Sequence, residues 1–125
     1  MKKLLVLVFS ILLSFNSYGE WTKISGHSLA SFYVDLETIK ARDGNVYWWS
    51  LSDWVKPNSG GYMSAKFFFQ GDCGLNRYKF LSGIFYQQSM GKGKNLKVPP
   101  PNDWQYASPD SSIASDMNYV CDYVN

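Results

Sequence analysis

The chain has 125 residues, 12 basic and 10 acidic side chains, and a formal net charge of +2 at neutral pH. This length is enough for one small domain and not for two. Because the charges nearly balance, strong electrostatic binding of nucleic acid or of an anionic membrane is not expected.

Residues 1–19 predict a secretory signal peptide. Lys2 and Lys3 form a charged start, Leu4–Leu13 is an apolar run too short to span a bilayer as a mature helix, and Ser17–Gly19 supplies the small residues that a signal peptidase reads. An uncleaved membrane anchor is the alternative. No cysteine lies near the cleavage site, so no lipid anchor is expected. The predicted location is the periplasm, the outer membrane or the medium.

Residues 20–125 then form one exported domain without a transmembrane segment. Loss of the two signal-peptide lysines takes its formal charge from +2 to zero. Cys73 and Cys121 are the only cysteines, and export makes a disulfide between them possible and useful. Closing a loop of about 48 residues would stabilise the fold by about 4 kcal/mol. The alternative is a pair of reactive or metal-binding thiols, but only His27 could complete a metal site, so no metal or cofactor is expected.

In chain order, strands are predicted at Trp21–Ile24 and Leu29–Asp35. One helical turn capped by Asp35 follows, and then a tight turn at Arg42–Asn45. The next strand is predicted at Val46–Val55.

This third strand carries aromatic rings on both faces. Alternation places Tyr47 and Trp49 on one face, interrupted by Asp53, and Trp48 and Trp54 on the other. Two interpretations stay open: a sheet covered on both sides, or an exposed aromatic patch that binds a partner.

The stretch Lys66–Tyr86 predicts a central hairpin, with Cys73 in its turn. The face that a helix is expected to cover carries Trp49, Phe67, Phe69, Phe80 and Ile84, and Cys73 is assigned to the same core side. The opposite face is the predicted binding face, since so much apolar area is rarely left bare on a soluble monomer. It comprises Trp48, Trp54, Tyr62, Lys66, Phe68, Arg77, Lys79, Leu81 and Phe85. We expect it to self-associate, giving a homodimer, or to bind a ligand with acidic groups at its rim.

The segment Gln87–Lys97 is polar and rich in glycine, and it predicts a loop. Lys92, Lys94 and Lys97 could hold an anion there, although the spacing is not that of a phosphate loop and a solvated loop is the alternative. Pro99–Pro101 predicts an extended connection across the surface.

A helix is predicted from Ser108 onward, with proline at its first position. Its apolar residues recur every three or four positions and share one face: Ile113, Met117, Val120, Cys121 and Val124. The expected fold is α+β, a single antiparallel sheet of about five to six strands with a C-terminal helix packed on one face and tied by the disulfide.

Residues along nearly the whole exported domain resemble the surface-adhesin protein E family of small exported bacterial proteins. The resemblance rests on the order and spacing of several short matches: Tyr33-Val34-Asp35, Thr38-Ile39, Gly44, Trp49-Ser50-Leu51, Ser64, Lys66, Asp72-Cys73, Arg77, Gly91-Lys92-Gly93, Trp104, Pro109, Ser111 and Cys121. It implies an antiparallel sheet with a helix against it and a Cys73–Cys121 disulfide. It also implies binding of host extracellular-matrix or plasma proteins and dimerisation, as in the best-known member.

Three functional hypotheses follow. The first is a non-catalytic binding module of the bacterial cell envelope, with adhesion as its specific form. The second is a periplasmic structural or assembly protein that self-associates or binds an envelope partner. An enzyme is the third and weakest, because His27 stands alone and Asp35, Asp53 and Asp72 sit where capping explains them.

Overall fold

A computed structural model describes residues 21–125, which form one antiparallel sheet of eight strands with a single α-helix on one face. The predicted signal peptide, residues 1–19, lies outside the described residues. The strands are β1 (Trp21–His27), β2 (Ala30–Asp35), β3 (Lys40–Arg42), β4 (Asn45–Trp54), β5 (Ser64–Asp72), β6 (Arg77–Gln88), β7 (Lys92–Val98) and β8 (Gln105–Tyr106). The helix α1 spans Ser112–Val124.

The strand order is β1-β2-β4-β5-β6-β7, with β3 paired to β4 and β8 paired to β6. The predicted α+β class and the β5–β6 hairpin are confirmed. Eight strands replace the expected five to six because two short strands, β3 and β8, pair beside the six-strand path. The loop predicted at Gln87–Lys97 is wrong over most of its length, since Lys92–Val98 pairs with β6 as a strand.

The hydrophobic core lies between the sheet and α1, on the side called here the helix face. Val34, Val46, Trp48 and Phe69 pack there with the helix residues Met117 and Val120. The predicted apolar side of the helix is confirmed, because its remaining members, Ile113, Cys121 and Val124, pack against the same cluster. The helix begins later than predicted, since Ser108–Ser111 forms a turn and the Ser111 hydroxyl caps the helix by accepting from the amide of Ala114 at 3.1 Å.

The assignment of the two central tryptophans to faces is wrong. Trp48 is 0% exposed and its ring lies 5.3 Å from that of Phe69, whereas Trp49 pairs with Phe68 on the opposite side of the sheet, called here the open face. A glycine makes room for the Trp48 indole: a Cβ on Gly71 would come within 2.9 Å of it.

A β-bulge at Leu81 corrects the assignment of β6. Phe69 pairs with Phe80 and Phe68 with Ser82, so β6 carries one extra residue, Leu81, that has no partner of its own on β5. From there the alternation in β6 is shifted by one. Ile84 therefore falls on the open face and Phe85 on the helix face, the reverse of the prediction for both.

The disulfide joins Cys73 in the β5–β6 turn to Cys121 in α1, as predicted. Cys73 itself is exposed rather than part of the core, because the turn projects beyond the sheet. The bond ties the end of the central hairpin to the last turns of the helix. Within residues 21–125, no helix is both long enough and apolar enough to cross a bilayer.

Candidate functional site on the open face

The open face carries a cleft of about 650 Å³, called here the aromatic groove. Its floor is formed by Tyr47 and Trp49 of β4, Phe68 of β5 and Leu81 of the bulge. The ring of Phe68 lies 5.1 Å from that of Trp49 and 6.3 Å from that of Tyr47. All four floor side chains are half-buried, so they keep part of their apolar surface in contact with solvent.

The wall of the groove comes from the segment before β4 and is charged. Glu37, Lys40 and Arg42 are exposed along it, which leaves the rim with one net positive charge. The Arg42 guanidinium lies over the Tyr47 ring, 5.5 Å from its centroid, which is within the range of a cation–π contact.

Local hydrogen bonds fix this wall against the floor. Asp35 caps the 3-10 turn Leu36–Thr38 by accepting from the Glu37 amide at 3.1 Å, as the sequence predicted. The Thr38 hydroxyl donates to the carbonyl of Asp35 at 2.8 Å and accepts from the amide of Trp49 at 3.3 Å. A tight turn with positive φ at Asp43 and Gly44 then returns the chain into β4. The wall of the groove is therefore fixed by the short side chains of Asp35 and Thr38, which bond to backbone groups.

The structure does not bring the predicted binding face together on one side of the sheet. Trp48 is buried beneath α1. Trp54 and Tyr62 lie on the helix face, where their rings are 6.2 and 5.7 Å from that of Phe85. The members on the open face are Lys66, Phe68, Arg77, Lys79 and Leu81.

The three predicted binding cations are engaged by rings of this same chain. Lys66 lies between Trp21 and Tyr86, 5.6 and 5.2 Å from their ring centroids. Arg77 and Lys79 lie 4.2 and 4.6 Å from the ring of Trp104, which the connection before β8 places over them.

Arg77 also makes an ion pair with Asp72, with 3.1 Å between Nε and Oδ2. Desolvation acts to raise the pKa of Asp72, but the hydrogen bonds from Arg77 and from the Leu75 amide outweigh it and hold that pKa below its usual value. Asp72 therefore closes the hairpin turn as a charged cap.

The lysines proposed to hold an anion are exposed along β7. Lys92, Lys94 and Lys97 follow the outer strand of the sheet path rather than the inside of a loop. Lysines on an outer strand also protect a sheet edge from pairing with another chain. An anion site there stays a prediction.

Sequence reasoning missed Tyr47 and Trp49 as surface residues because it assigned them to the core. One signal could have revealed the error: Asp53 shares their face. Its carboxylate lies on the open face and accepts from the amide of Met90 at 2.8 Å. A charged side chain is seldom placed in a dry core, so Asp53 indicated that this face is more solvated than the other, although Leu51 beside it is fully buried.

The site offers rings and charges rather than reactive groups. Within residues 21–125, no three His, Cys, Asp or Glu side chains are grouped so as to hold a metal ion. His27 is the last residue of β1, and its Nδ1 accepts from the amide of Leu29 in the following turn at 3.1 Å. The groove is thus suited to contact a partner through aromatic area and rim charge.

Solved structures of other proteins share the fold of this chain. The structure is similar to crystal form II of Haemophilus influenzae protein E, with a TM-score of 0.65 and 15% identity over 85% of this chain and 89% of that one. It is also similar to a structure of protein E from non-typeable Haemophilus influenzae, with a TM-score of 0.59 and 15% identity over 84% of this chain and 76% of that one. At this identity the likeness shows a shared fold.

No curated protein sequence matches the chain. The family model described as surface-adhesin protein E matches residues 21–122, which is most of the sequence. The antiparallel sheet, the helix packed against it and the Cys73–Cys121 bond agree with what the resemblance implied. The chain therefore belongs to the surface-adhesin protein E family.

Proposed function

We propose that this protein is a non-catalytic binding module of the bacterial cell envelope that holds a host extracellular-matrix or plasma protein in the aromatic groove. The observation that carries the proposal is the exposed part of Tyr47, Trp49 and Phe68 in a preformed cleft of about 650 Å³. Aromatic side chains of this kind supply a large share of binding energy at protein interfaces.

The rim specifies the kind of partner segment. Lys40 and Arg42 outnumber Glu37 on the wall, whereas Lys66, Arg77 and Lys79 are already stacked on rings of the chain. A partner segment with an apolar side chain for the floor and an acidic group for the rim fits this arrangement. Rim charges set specificity and association rate more than affinity.

The test measures binding of the purified exported protein to a panel of immobilised extracellular-matrix glycoproteins and to plasma proteins by surface plasmon resonance. Trp49→Ala is expected to weaken binding about tenfold or more, as loss of a central aromatic contact does. Arg42→Glu is expected to slow association and to reverse its salt dependence, because the rim then repels an acidic partner and salt screens that repulsion.

Two matched variants control this experiment. Tyr123→Ala removes an aromatic ring that is 54% exposed on the helix, and Lys56→Glu reverses an exposed charge in the β4–β5 loop. Both should bind like the unmodified protein. Binding that is equally weak in Tyr123→Ala and Trp49→Ala, or absent from the whole panel, would contradict the proposal.

A second function, self-association or binding of an envelope partner in the periplasm, is favoured by a different surface. Trp54, Tyr62 and Phe85 form a half-buried ring cluster on the helix face beyond α1. If this surface makes a dimer, Tyr62→Glu should convert the sedimenting species to a monomer, and Trp49→Ala should leave it unchanged. The reverse result would assign association to the groove.

A further inference from the structure

A buried carboxylate on the helix lacks half of its hydrogen-bond partners. Asp116 of α1 is 3% exposed. Its Oδ2 accepts from the indole nitrogen of Trp48 at 3.3 Å, and hydrogen bonding with the Ser50 hydroxyl also acts to lower its pKa, but within residues 21–125 its Oδ1 has no hydrogen-bond partner. Leaving one oxygen of a buried carboxylate without a partner costs free energy, so such an atom calls for an explanation.

A cavity of about 200 Å³ adjoins this carboxylate on the helix face, between the start of α1 and the sheet. Half of its ten lining residues are aromatic, and three of the others carry hydroxyl groups: Phe32, Phe67, Phe69, Tyr78, Phe80, Ser50, Ser52, Ser112, Ile113 and Asp116. The ring centroid of Phe80 lies 4.8 Å from that of Phe69 and 5.4 Å from that of Phe67. Phe67, Tyr78 and Phe80 are only half-buried, because α1 does not cover this part of the sheet.

An aromatic lining beside one carboxylate suits a particular class of ligand. Aromatic cages attract quaternary ammonium ions, and a carboxylate supplies the opposite charge. Hard metal ions need several oxygen ligands, whereas the cavity offers one carboxylate. A primary ammonium group has three donors to satisfy and would have to use the serine hydroxyls beside Asp116, whereas a quaternary ammonium group has none and makes use of the aromatic lining.

The size of the cavity agrees with this class. A dry apolar cavity of about 150 Å³ accepts benzene. The cavity beside Asp116 is somewhat larger, so an ammonium head bearing methyl groups fits within it. Burial without an opposite charge raises the pKa of Asp116 to about 7, and a bound cation would provide that missing charge.

We propose that this cavity binds a small quaternary ammonium ion, with the Asp116 carboxylate as its counter-ion and the rings of Phe67, Phe69 and Phe80 around its methyl groups. The site lies on the helix face, across the sheet from the aromatic groove, and it does not depend on the function proposed for the groove. A buried water donating to Oδ1 is the competing explanation of the unpartnered oxygen.

The experiment titrates the purified exported protein with choline and, separately, with 3,3-dimethyl-1-butanol, the uncharged isostere of choline. Binding is followed by calorimetry and by the NMR signal of the Trp48 indole N–H at pH 8. Choline is expected to bind saturably and at least about tenfold more tightly than the isostere, as a desolvated cation–π site with a counter-ion requires. This comparison needs no variant.

Three variants sharpen the test. Asp116→Asn keeps the size of the side chain and an acceptor for Trp48, and should lower choline affinity about tenfold while leaving the isostere unaffected. Phe80→Leu keeps apolar volume, removes a ring face and should also lower choline affinity. Asp122→Asn changes an exposed carboxylate on the same helix and should have no effect.

Equal affinity for choline and the isostere, or no binding of either, would overturn the proposal. Undiminished choline binding by Asp116→Asn would overturn it as well. In each of those cases the cavity is a packing feature whose free oxygen is satisfied by water. Because no part of this test uses a matrix protein, its failure is distinct from failure of the groove proposal.

Discussion

Trp48 and Trp49 are neighbours of the same residue type with opposite environments. Trp48 is 0% exposed, packs against Phe69 and donates to Asp116, whereas Trp49 lies half-buried in the aromatic groove. Trp48→Ala should therefore lower the free energy of unfolding by about 3 to 5 kcal/mol, as truncation of a buried tryptophan does. Urea unfolding followed by circular dichroism measures the loss.

Trp49→Ala is the matched control for that experiment. It leaves no closed cavity, because the ring borders an open cleft, and its cost should be less than half that of Trp48→Ala. If the two substitutions cost the same, the open face is a second core.

Asp116 gives stability a defined pH dependence. Burial raises its pKa from 3.8 to about 7, so between these values the native state binds more protons than the unfolded state. The stability contributed by the neutral carboxyl group is therefore fully present below pH 4 and is lost as the pH rises to 7. A shift of about 3 units corresponds to a loss of about 4 kcal/mol at most.

Urea unfolding at pH 5 and pH 8 checks this dependence. Asp116→Asn should be somewhat more stable than the unmodified protein at pH 5 and more stable still at pH 8, because its own stability changes little between them. Tyr78 is the other titratable residue lining the cavity, and its pKa is raised above 10, so it stays neutral throughout. A steeper or unchanged pH dependence in Asp116→Asn would show that another group is responsible.

At the scale of elements, the disulfide holds α1 over the hairpin. Cys73 and Cys121 are separated by 48 residues, and loss of a native bond of this kind in a small domain costs about 2 to 5 kcal/mol. Cys73→Ser and Cys121→Ser should each be destabilised by that amount in thermal unfolding, and the double variant by no more than either. Additive losses would mean that the thiols act independently.

The bulge in β6 shows where prediction from sequence stops. Helix α1 and its buried side were predictable, because apolar residues that recur every three or four positions all lie on one face of a helix. In β4 and β6 both faces are rich in rings, so alternation alone could not select the core side. Leu81 then shifts the alternation by one residue, and no pattern in the sequence marks an inserted residue of this kind.

Strand β7 closes one end of the sheet path and is the element most exposed to pairing with another chain. Its lysines, Lys92, Lys94 and Lys97, are exposed. Replacing all three with threonine should promote concentration-dependent association, since charged side chains protect an edge. Sedimentation velocity over a range of concentrations measures this. If the triple variant sediments as the same species as the unmodified protein at every concentration, the lysines do not protect this edge, and the predicted anion binding is the role left to test.

At the scale of the molecule, the sheet separates two kinds of surface. The helix face contains the core, the disulfide-tied helix and the Asp116 cavity. The open face contains the aromatic groove and the cations stacked on rings. The sequence showed that a ring-rich face exists, but the groove itself depends on Thr38 bonding to β4, a contact across 11 residues that no short pattern predicts.

The central claim is that a partner protein occupies the aromatic groove. Hydroxyl-radical footprinting of the exported protein, free and bound to an immobilised extracellular-matrix extract, tests it most directly. We expect binding to protect Tyr47, Trp49 and Phe68 from oxidation and to leave the exposed rings of Tyr106 and Tyr123 unchanged. Protection of Tyr123, with Tyr47 and Trp49 oxidised as in the free protein, would contradict it.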